Sequence, residues 1–208
     1  GMVSLHARHL VGSRGFIHCF EPNPICASKV RQLFDQNGIT NYLLYEFALG
    51  SEDAQLELRL TSTHSGTATL ANVVGSVTQS FLVDVKRADS LQIQDPKLVK
   101  IDVEGFELHA LRGMSNTLRE YSPYIITEII ENHLARAGTT IKQLSEFLGE
   151  LGYKPHSIGT RRKHLISYLE VTPVEFDADF SLHSDYLWIH QSKMNDHNHF
   201  ERCLGFAI

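Results

Sequence analysis

Apolar residues recur along this chain in two periods, and the switches between them mark out the elements. Val3, Ala7, Leu10 and Val11 share one face of a helix that Gly12 and Gly15 stop. Phe16 to Phe20 is a short apolar run with the length of a buried strand, ending at Glu21-Pro22-Asn23-Pro24. Asn23 suits a helix N-cap and Pro24 a first helical position, so a helix follows. It turns Val30, Leu33 and Phe34 inward and closes near Asn37-Gly38. Tyr42 to Leu49 is the next expected strand. Leu56, Leu58 and Leu60, and later Phe81, Val83 and Val85, alternate with polar residues as half-exposed strands do. Between these two lies Thr61 to Ser80, rich in Ser, Thr and Gly. A stretch this long without periodicity is a functional lid or a disordered loop, and we read it as a loop on the substrate side.

The most informative stretch comes next. Leu98, Val99, Ile101 and Val103 form an apolar run of the kind covered on both faces, and Gly105 permits a tight exit from it. Phe106, Ala110, Leu111, Met114 and Leu118 then recur at helical spacing, with Glu107 in the first turn where the helix dipole favours a negative charge. Ser122-Pro123 breaks the chain before a buried strand at Tyr124 to Glu128. Thr140-Ile141-Lys142-Gln143 is a capping box that opens a helix on Ile141, Leu144, Leu148 and Leu151. Ser167 to Val171 and Asp185 to Gln191 are late strands, expected to pair with each other antiparallel. Strands and helices alternate, which predicts one α/β domain over residues 1–208, with a mostly parallel sheet and helices on both faces.

Composition narrows the function. Hydrophobic residues make up 42% and charged residues 21% of the 208 positions, as in a soluble globular protein. A net charge of -5, with Arg161-Arg162-Lys163 as the lone basic cluster and readable as a solvated loop, argues against nucleic acid as a partner. No apolar run approaches a membrane span. Cys19, Cys26 and Cys203 show no metal-ligand spacing, so reduced thiols and a cytoplasmic location are the expectation. Cys19, flanked by apolar strand residues, reads as core. His197 and His199 lie two apart in a polar tail with no third ligand near them.

Carboxylates mark the candidate site. Glu21 ends one strand and Asp102 another, and open α/β sheets bind ligands in the crevice beyond the carboxyl ends of their strands. Alone, Glu21 would be an acidic residue beside a helix start; together with Asp102 it points to a nucleotide whose ribose hydroxyls donate to it. Asp102, Glu104, Glu107 and Glu128 would alternatively gather a hard divalent cation, a second choice because no His joins them at ligand spacing. His109 and His133 are candidate bases whose commoner role is structural.

At this point the residues carry a resemblance. Phe20-Glu21-Pro22-Asn23-Pro24, Ala48-Leu49-Gly50, Lys100-Ile101-Asp102-Val103-Glu104-Gly105-Phe106-Glu107 with Leu111-Arg112-Gly113, and Tyr124 to Glu128 resemble, in order, the FkbM family of methyltransferases. The resemblance implies a Rossmann-like class I methyltransferase fold, S-adenosylmethionine as cofactor, and methyl transfer to a hydroxyl oxygen of a small metabolite or sugar. It implies that Glu21 holds the ribose, that Phe47, Ala48 and Leu49 border the adenine, and that Asp102 lies beside the methionine end. Glu104 and Glu128 would face the acceptor, with Glu104 able to take its proton. The family carries a further strand and a glycine-rich turn ahead of the opening helix, where this chain begins. The expectation is therefore a truncated member, or a non-catalytic binding protein that kept the fold. A nicotinamide-dependent dehydrogenase ranks below both, as no Gly-x-Gly-x-x-Gly is present. Without that strand, the strands ending at Glu21 and Asp102 would pair directly, admit another segment, or recruit a second copy; self-association is the favoured expectation.

Overall fold

The computed structural model describes residues 2–12, 15–60, 68–73, 76–163, 166–174 and 185–194, with backbone alone at 2, 3, 6, 9, 10, 160–163 and 166–170. Helix α1 (Met2–Val11) leads into strand β1 (Ile17–Phe20), and α2 (Pro24–Gln36) into β2 (Tyr42–Tyr45). Asn23 caps α2 as expected: its side-chain oxygen accepts from the Ile25 N–H at 3.0 Å. β1 and β2 pair in parallel from Ile17 beside Tyr42 to Phe20 beside Tyr45. Ile17 and Cys19 point inward, and Cys19 joins Val30, Phe34 and Ile39 in a small core beneath α1 and α2.

The strand expected over Tyr42 to Leu49 is interrupted. Its last residues form β3 (Ala48–Leu49), which pairs with a different sheet. There β4 (Ala54–Leu60) and β6 (Gln79–Lys86) make an antiparallel pair, with β5 (Ala68–Thr69) on the other edge of β4. Leu58, Leu60, Val83 and Val85 are buried, as their alternation requires. A short 3₁₀ turn at Ala88–Ser90 follows.

The largest sheet has the order β10 (Ile166–Pro173), β9 (Tyr153–Lys163), β11 (Asp185–His190), β8 (Tyr124–Glu128), β7 (Leu98–Ile101). β7 and β8 are parallel. The two late strands, β10 and β11, do not pair with each other; each lies antiparallel to β9, and β11 also pairs with β8. The triplet Arg161-Arg162-Lys163, read from sequence as a loop, is the end of β9. The sheets are thus mixed, and antiparallel ladders outnumber parallel ones where a mostly parallel sheet was expected, because β4 and β6, and β9 and β10, pair as antiparallel neighbours. The single helix expected after Gly105 is two, α3 (Glu107–Gly113) and α4 (Ser115–Tyr121). They are separated at Met114, and α4 is started by Asp89, whose carboxylate accepts from the N–H groups of Asn116 and Thr117.

The main core lies between this sheet and α3, α4 and α6 (Ile141–Glu150). Leu108, Leu111, Leu118, Leu144 and Leu148 pack with Ile101, Ile125, Tyr186 and Trp188, each buried aliphatic side chain contributing ~1.5–3 kcal/mol. The Trp188 Nε1 donates to Thr127 Oγ1 at 2.9 Å, so the one polar atom of that ring is satisfied. The capping box of α6 forms as read, Thr140 Oγ1 accepting from Gln143 N and Gln143 Oε1 from Thr140 N. Among the described residues β1 pairs only with β2 and β7 only with β8, and the two cores are separate. Direct pairing of the strands ending at Glu21 and Asp102 is therefore not how their edges are satisfied.

Candidate active site

The carboxyl ends of β7 and β8 gather one cluster of charge. Asp102 follows β7 and Glu128 ends β8, and the parallel register that sets Ile101 beside Thr127 sets these two side by side. They hydrogen-bond, and Glu128's carboxyl is pushed up to about 7. The hydrogen bond with Asp102 is the largest cause, followed by burial and by repulsion from Asp102 and Asp185; Lys100 opposes them. Lys100 Nζ lies 3.6 Å from Asp102 and 3.4 Å from Asp185. Asp185 pairs opposite Glu128 at the start of β11, because the amino end of an antiparallel strand meets the carboxyl ends of its parallel neighbours. Sequence reading missed Asp185 for that reason: the usable signal was an acidic residue opening the apolar run Tyr186 to Ile189.

The next turn holds Glu104 away from that pair. Glu104 has φ +53° and Gly105 φ +106°, both in the left-handed region that L side chains avoid at ~1–2 kcal/mol per residue. Three contacts fix the turn. Glu107 Oε1 accepts from Gly105 N at 3.0 Å and Val103 N at 3.3 Å, and Thr69 Oγ1 donates to the Glu104 carbonyl at 2.8 Å. Burial raises Glu107's carboxyl, against the pull of those N–H groups, and its second oxygen has no partner among the described residues. The described part of the expected substrate-side loop, around Thr69, thus lies against the turn. So turned, Glu104 Oε2 sits 3.0 Å from Nδ1 of His133, on the short helix α5 (Glu131–Arg136), and Gly105 touches that helix: a Cβ on it would come within 2.3 Å of the His133 carbonyl. His109 is engaged elsewhere, stacked on Phe106 with Nε2 3.3 Å from the Ala137 carbonyl.

Glu21 stands at the end of β1, on the other sheet. Its carboxylate accepts from Asn23 N at 3.0 Å, and burial raises it against that hydrogen bond. Beside it, Phe20, Tyr45 and Phe47 form a continuous aromatic wall, Phe20 stacked on Tyr45 at 4.7 Å and Lys86 Nζ 4.8 Å over Phe47. A cavity of about 300 Å³ opens beside the start of α2, lined by Pro22, Pro24, Glu46 and Phe81 to Asp84. Ala48 is buried in β3 and Leu49 packs against the main core, so of that trio Phe47 has the ring on the aromatic wall.

These residues suit the nucleoside half of S-adenosylmethionine: a carboxylate for a diol, aromatic rings beside it, and the buried Asn23 Nδ2, a donor with no partner among the described residues. The glycine-rich turn that the resemblance implies has no counterpart among the described residues. Among those residues no three of His, Cys, Asp and Glu gather so as to hold a metal ion. No helix among them is long and apolar enough to cross a membrane.

The family model described as the methyltransferase FkbM domain matches residues 3–155. Hexuronic acid methyltransferase AglP of Haloferax volcanii is 28% identical over 145 residues, covering 68% of this chain and 56% of that protein. Methyltransferase 1 of Beauveria bassiana is 26% identical over 154 residues, covering 64% of this chain and 61% of that protein. The chain therefore spans about three-fifths of the length of the curated relatives it matches. A solved FkbM methyltransferase from Methylobacillus flagellatus aligns at TM-score 0.45 and 16% identity over 84% of this chain and 36% of its own. Precorrin-8w decarboxylase from Methanobacterium thermoautotrophicum aligns at 0.40 and 14% over 84% of this chain and 69% of its own. With the family's model running from α1 through the first residues of β9, across the carboxyl ends of β1, β7 and β8, the chain belongs to the FkbM methyltransferase family.

Proposed function

We propose that this protein transfers a methyl group from S-adenosylmethionine to a hydroxyl oxygen of a sugar-like acceptor, a hexuronic acid being the first to test. The observation that carries the reading is the placing of Asp102 beside Glu128, with Asp185 opposite, at the carboxyl ends of β7 and β8, a set of acceptor oxygens suited to receive polyol hydroxyls. In this reading Glu21 accepts from the ribose hydroxyls, Phe47 borders the adenine with Ala48 and Leu49 behind it, and Asp102 lies toward the methionine end. Glu128 meets the acceptor, and Glu104 belongs to the group that takes its proton. The cofactor supplies an electrophilic methyl carbon, so the residues' work is to orient the acceptor oxygen, exclude water and move one proton.

The sugar enters through the name of the Haloferax volcanii relative, which leaves the hydroxyl and carboxylate oxygens of a hexuronic acid both open. Radiolabelled methyl from the cofactor, offered with hexuronic acids and the matching neutral sugars, distinguishes them. An ether label survives mild alkali, whereas a methyl ester is lost. Alkali-labile label would overturn the hydroxyl reading, and cofactor binding without transfer to any acceptor would leave a binding protein. Glu21→Ala is expected to weaken cofactor binding by ~10–100-fold, the range for a hydrogen bond to a charged group. Glu104→Gln is expected to lower kcat far more than cofactor affinity.

A further inference from the structure

The geometry points to His133 as the atom-level proton acceptor of this reaction, with Glu104 as its positioning residue. The inference rests on the methyl-transfer reading above and deepens it. Glu104 Oε2 lies 3.0 Å from His133 Nδ1, a distance at which the carboxylate accepts a hydrogen bond and holds the proton on Nδ1. The lone pair is then on Nε2, for which no partner is found among the described residues. The two side chains are 27% and 26% exposed, partly sheltered yet open to a ligand.

The backbone is arranged around this contact. Glu104 is a non-glycine residue at φ +53°, a conformation that persists only where the surroundings impose it. Glu107 and Thr69 impose it from two sides, and Gly105, lacking a Cβ, lets the turn seat on the His133 carbonyl. An ordinary turn with Glu104 in the β or α region would aim its side chain elsewhere. The strain and the three supporting contacts converge on one result, a carboxylate 3.0 Å from an imidazole at the carboxyl end of β7, two residues beyond Asp102.

The Asp102–Glu128 pair is less suited to the same task. Its oxygens already share a hydrogen bond, and Lys100 bridges Asp102 to Asp185. In the step assigned here the acceptor's O–H bond breaks, the proton passes to His133 Nε2, and the electron pair stays on the oxygen, which becomes the nucleophile. The imidazolium is stabilised by the Glu104 carboxylate until the proton leaves to water.

The test uses the whole protein, S-adenosylmethionine, and the acceptor methylated in the label-transfer experiment. His133→Asn keeps a side-chain N–H for Glu104 while removing the lone pair. It should lower kcat ~10²–10⁴-fold, the usual worth of a general base, with cofactor affinity by calorimetry unchanged. Imidazole added to His133→Ala should restore part of the rate. Nitrogen NMR of labelled histidine should show the Nδ1–H tautomer in the parent and a mixture of tautomers in Glu104→Gln. His133→Asn turning over within threefold of the parent, or an Nε2–H tautomer in the parent, overturns the assignment. A loss confined to Glu128→Gln overturns it while leaving methyl transfer standing. A parent that transfers no methyl overturns the functional reading instead, and the NMR measurement still decides the Glu104–His133 arrangement.

Discussion

Replacing Gly113 by alanine sets two known effects against each other. Gly113 is the last residue of α3, where alanine ordinarily gains up to ~1 kcal/mol over glycine in helix propensity. A Cβ at this position, however, would come within 1.9 Å of the Gly50 carbonyl oxygen. Gly50 cannot retreat, because its own Cβ position is already 2.5 Å from Val85 Cγ1 and its N–H is bonded to the Lys86 carbonyl. Overpacking of this kind costs ~1–3 kcal/mol, and backbone on the receiving side places the cost at the upper end. The clash therefore wins, for a net loss of ~1–2 kcal/mol. For a chain of this size 1 kcal/mol moves the midpoint by ~2–4 °C, so thermal unfolding followed by circular dichroism should fall by ~2–8 °C. Gly149→Ala in α6 is the matched comparison. Nothing lies within 4 Å of its Cβ position, and the same propensity should raise stability by ~0.5–1 kcal/mol. A Gly113→Ala protein that melts at or above the parent refutes the close approach of α3 to the Ala48-Leu49-Gly50 segment.

Glu128's carboxyl, raised from 4.5 to about 7, binds more protons folded than unfolded between those values. Its contribution to stability is thus present at low pH and lost as pH rises through that window; burial of Glu21 and Glu107 acts in the same direction. Glu128→Gln should flatten the decline in unfolding midpoint, and an unchanged slope would exclude the shift. Lys100→Met removes the cation that opposes the rise, so Glu128 should titrate at still higher pH by carbon NMR of its carboxyl, and a downward move would contradict the cluster. Asp89→Ala strips the N–H groups of Asn116 and Thr117 of their acceptor and should cost ~1–2 kcal/mol in chemical denaturation. No loss there would mean that α4 is started by something other than Asp89.

Much of the local structure was legible in the residues. The Asn23 cap, the Thr140–Gln143 capping box and the alternating faces of β4 and β6 are all found as read, and β8 is a strand at the expected place with Ile125 and Thr127 buried. Each depends on neighbours within a few positions: a side chain bonding an N–H two or three residues on, or a period set by backbone geometry. The motif around Asp102 was legible for the same reason, as a strand, a glycine exit and a helix start, but its apolar run is not covered on both faces, Leu98 and Val103 being exposed, and its helix is two.

What the sequence left open was every pairing between distant segments. Nothing in Tyr42 to Leu49 says that the chain changes sheet at Glu46–Phe47, and nothing in the late strands says that both turn to β9. Sheet membership is settled by which edges the whole fold leaves available. The chemistry divides the same way. That Asp102, Glu104 and Glu128 lie at strand ends follows from the apolar pattern. That Asp102 and Glu128 share a hydrogen bond beside Asp185, while Glu104 is turned onto His133, depends on a parallel register, an antiparallel neighbour and a left-handed φ. Hydrophobic period and caps act over one turn of backbone and are written in adjacent residues. The direction of a carboxylate is fixed by partners tens of residues away, and only the tertiary structure brings those into place.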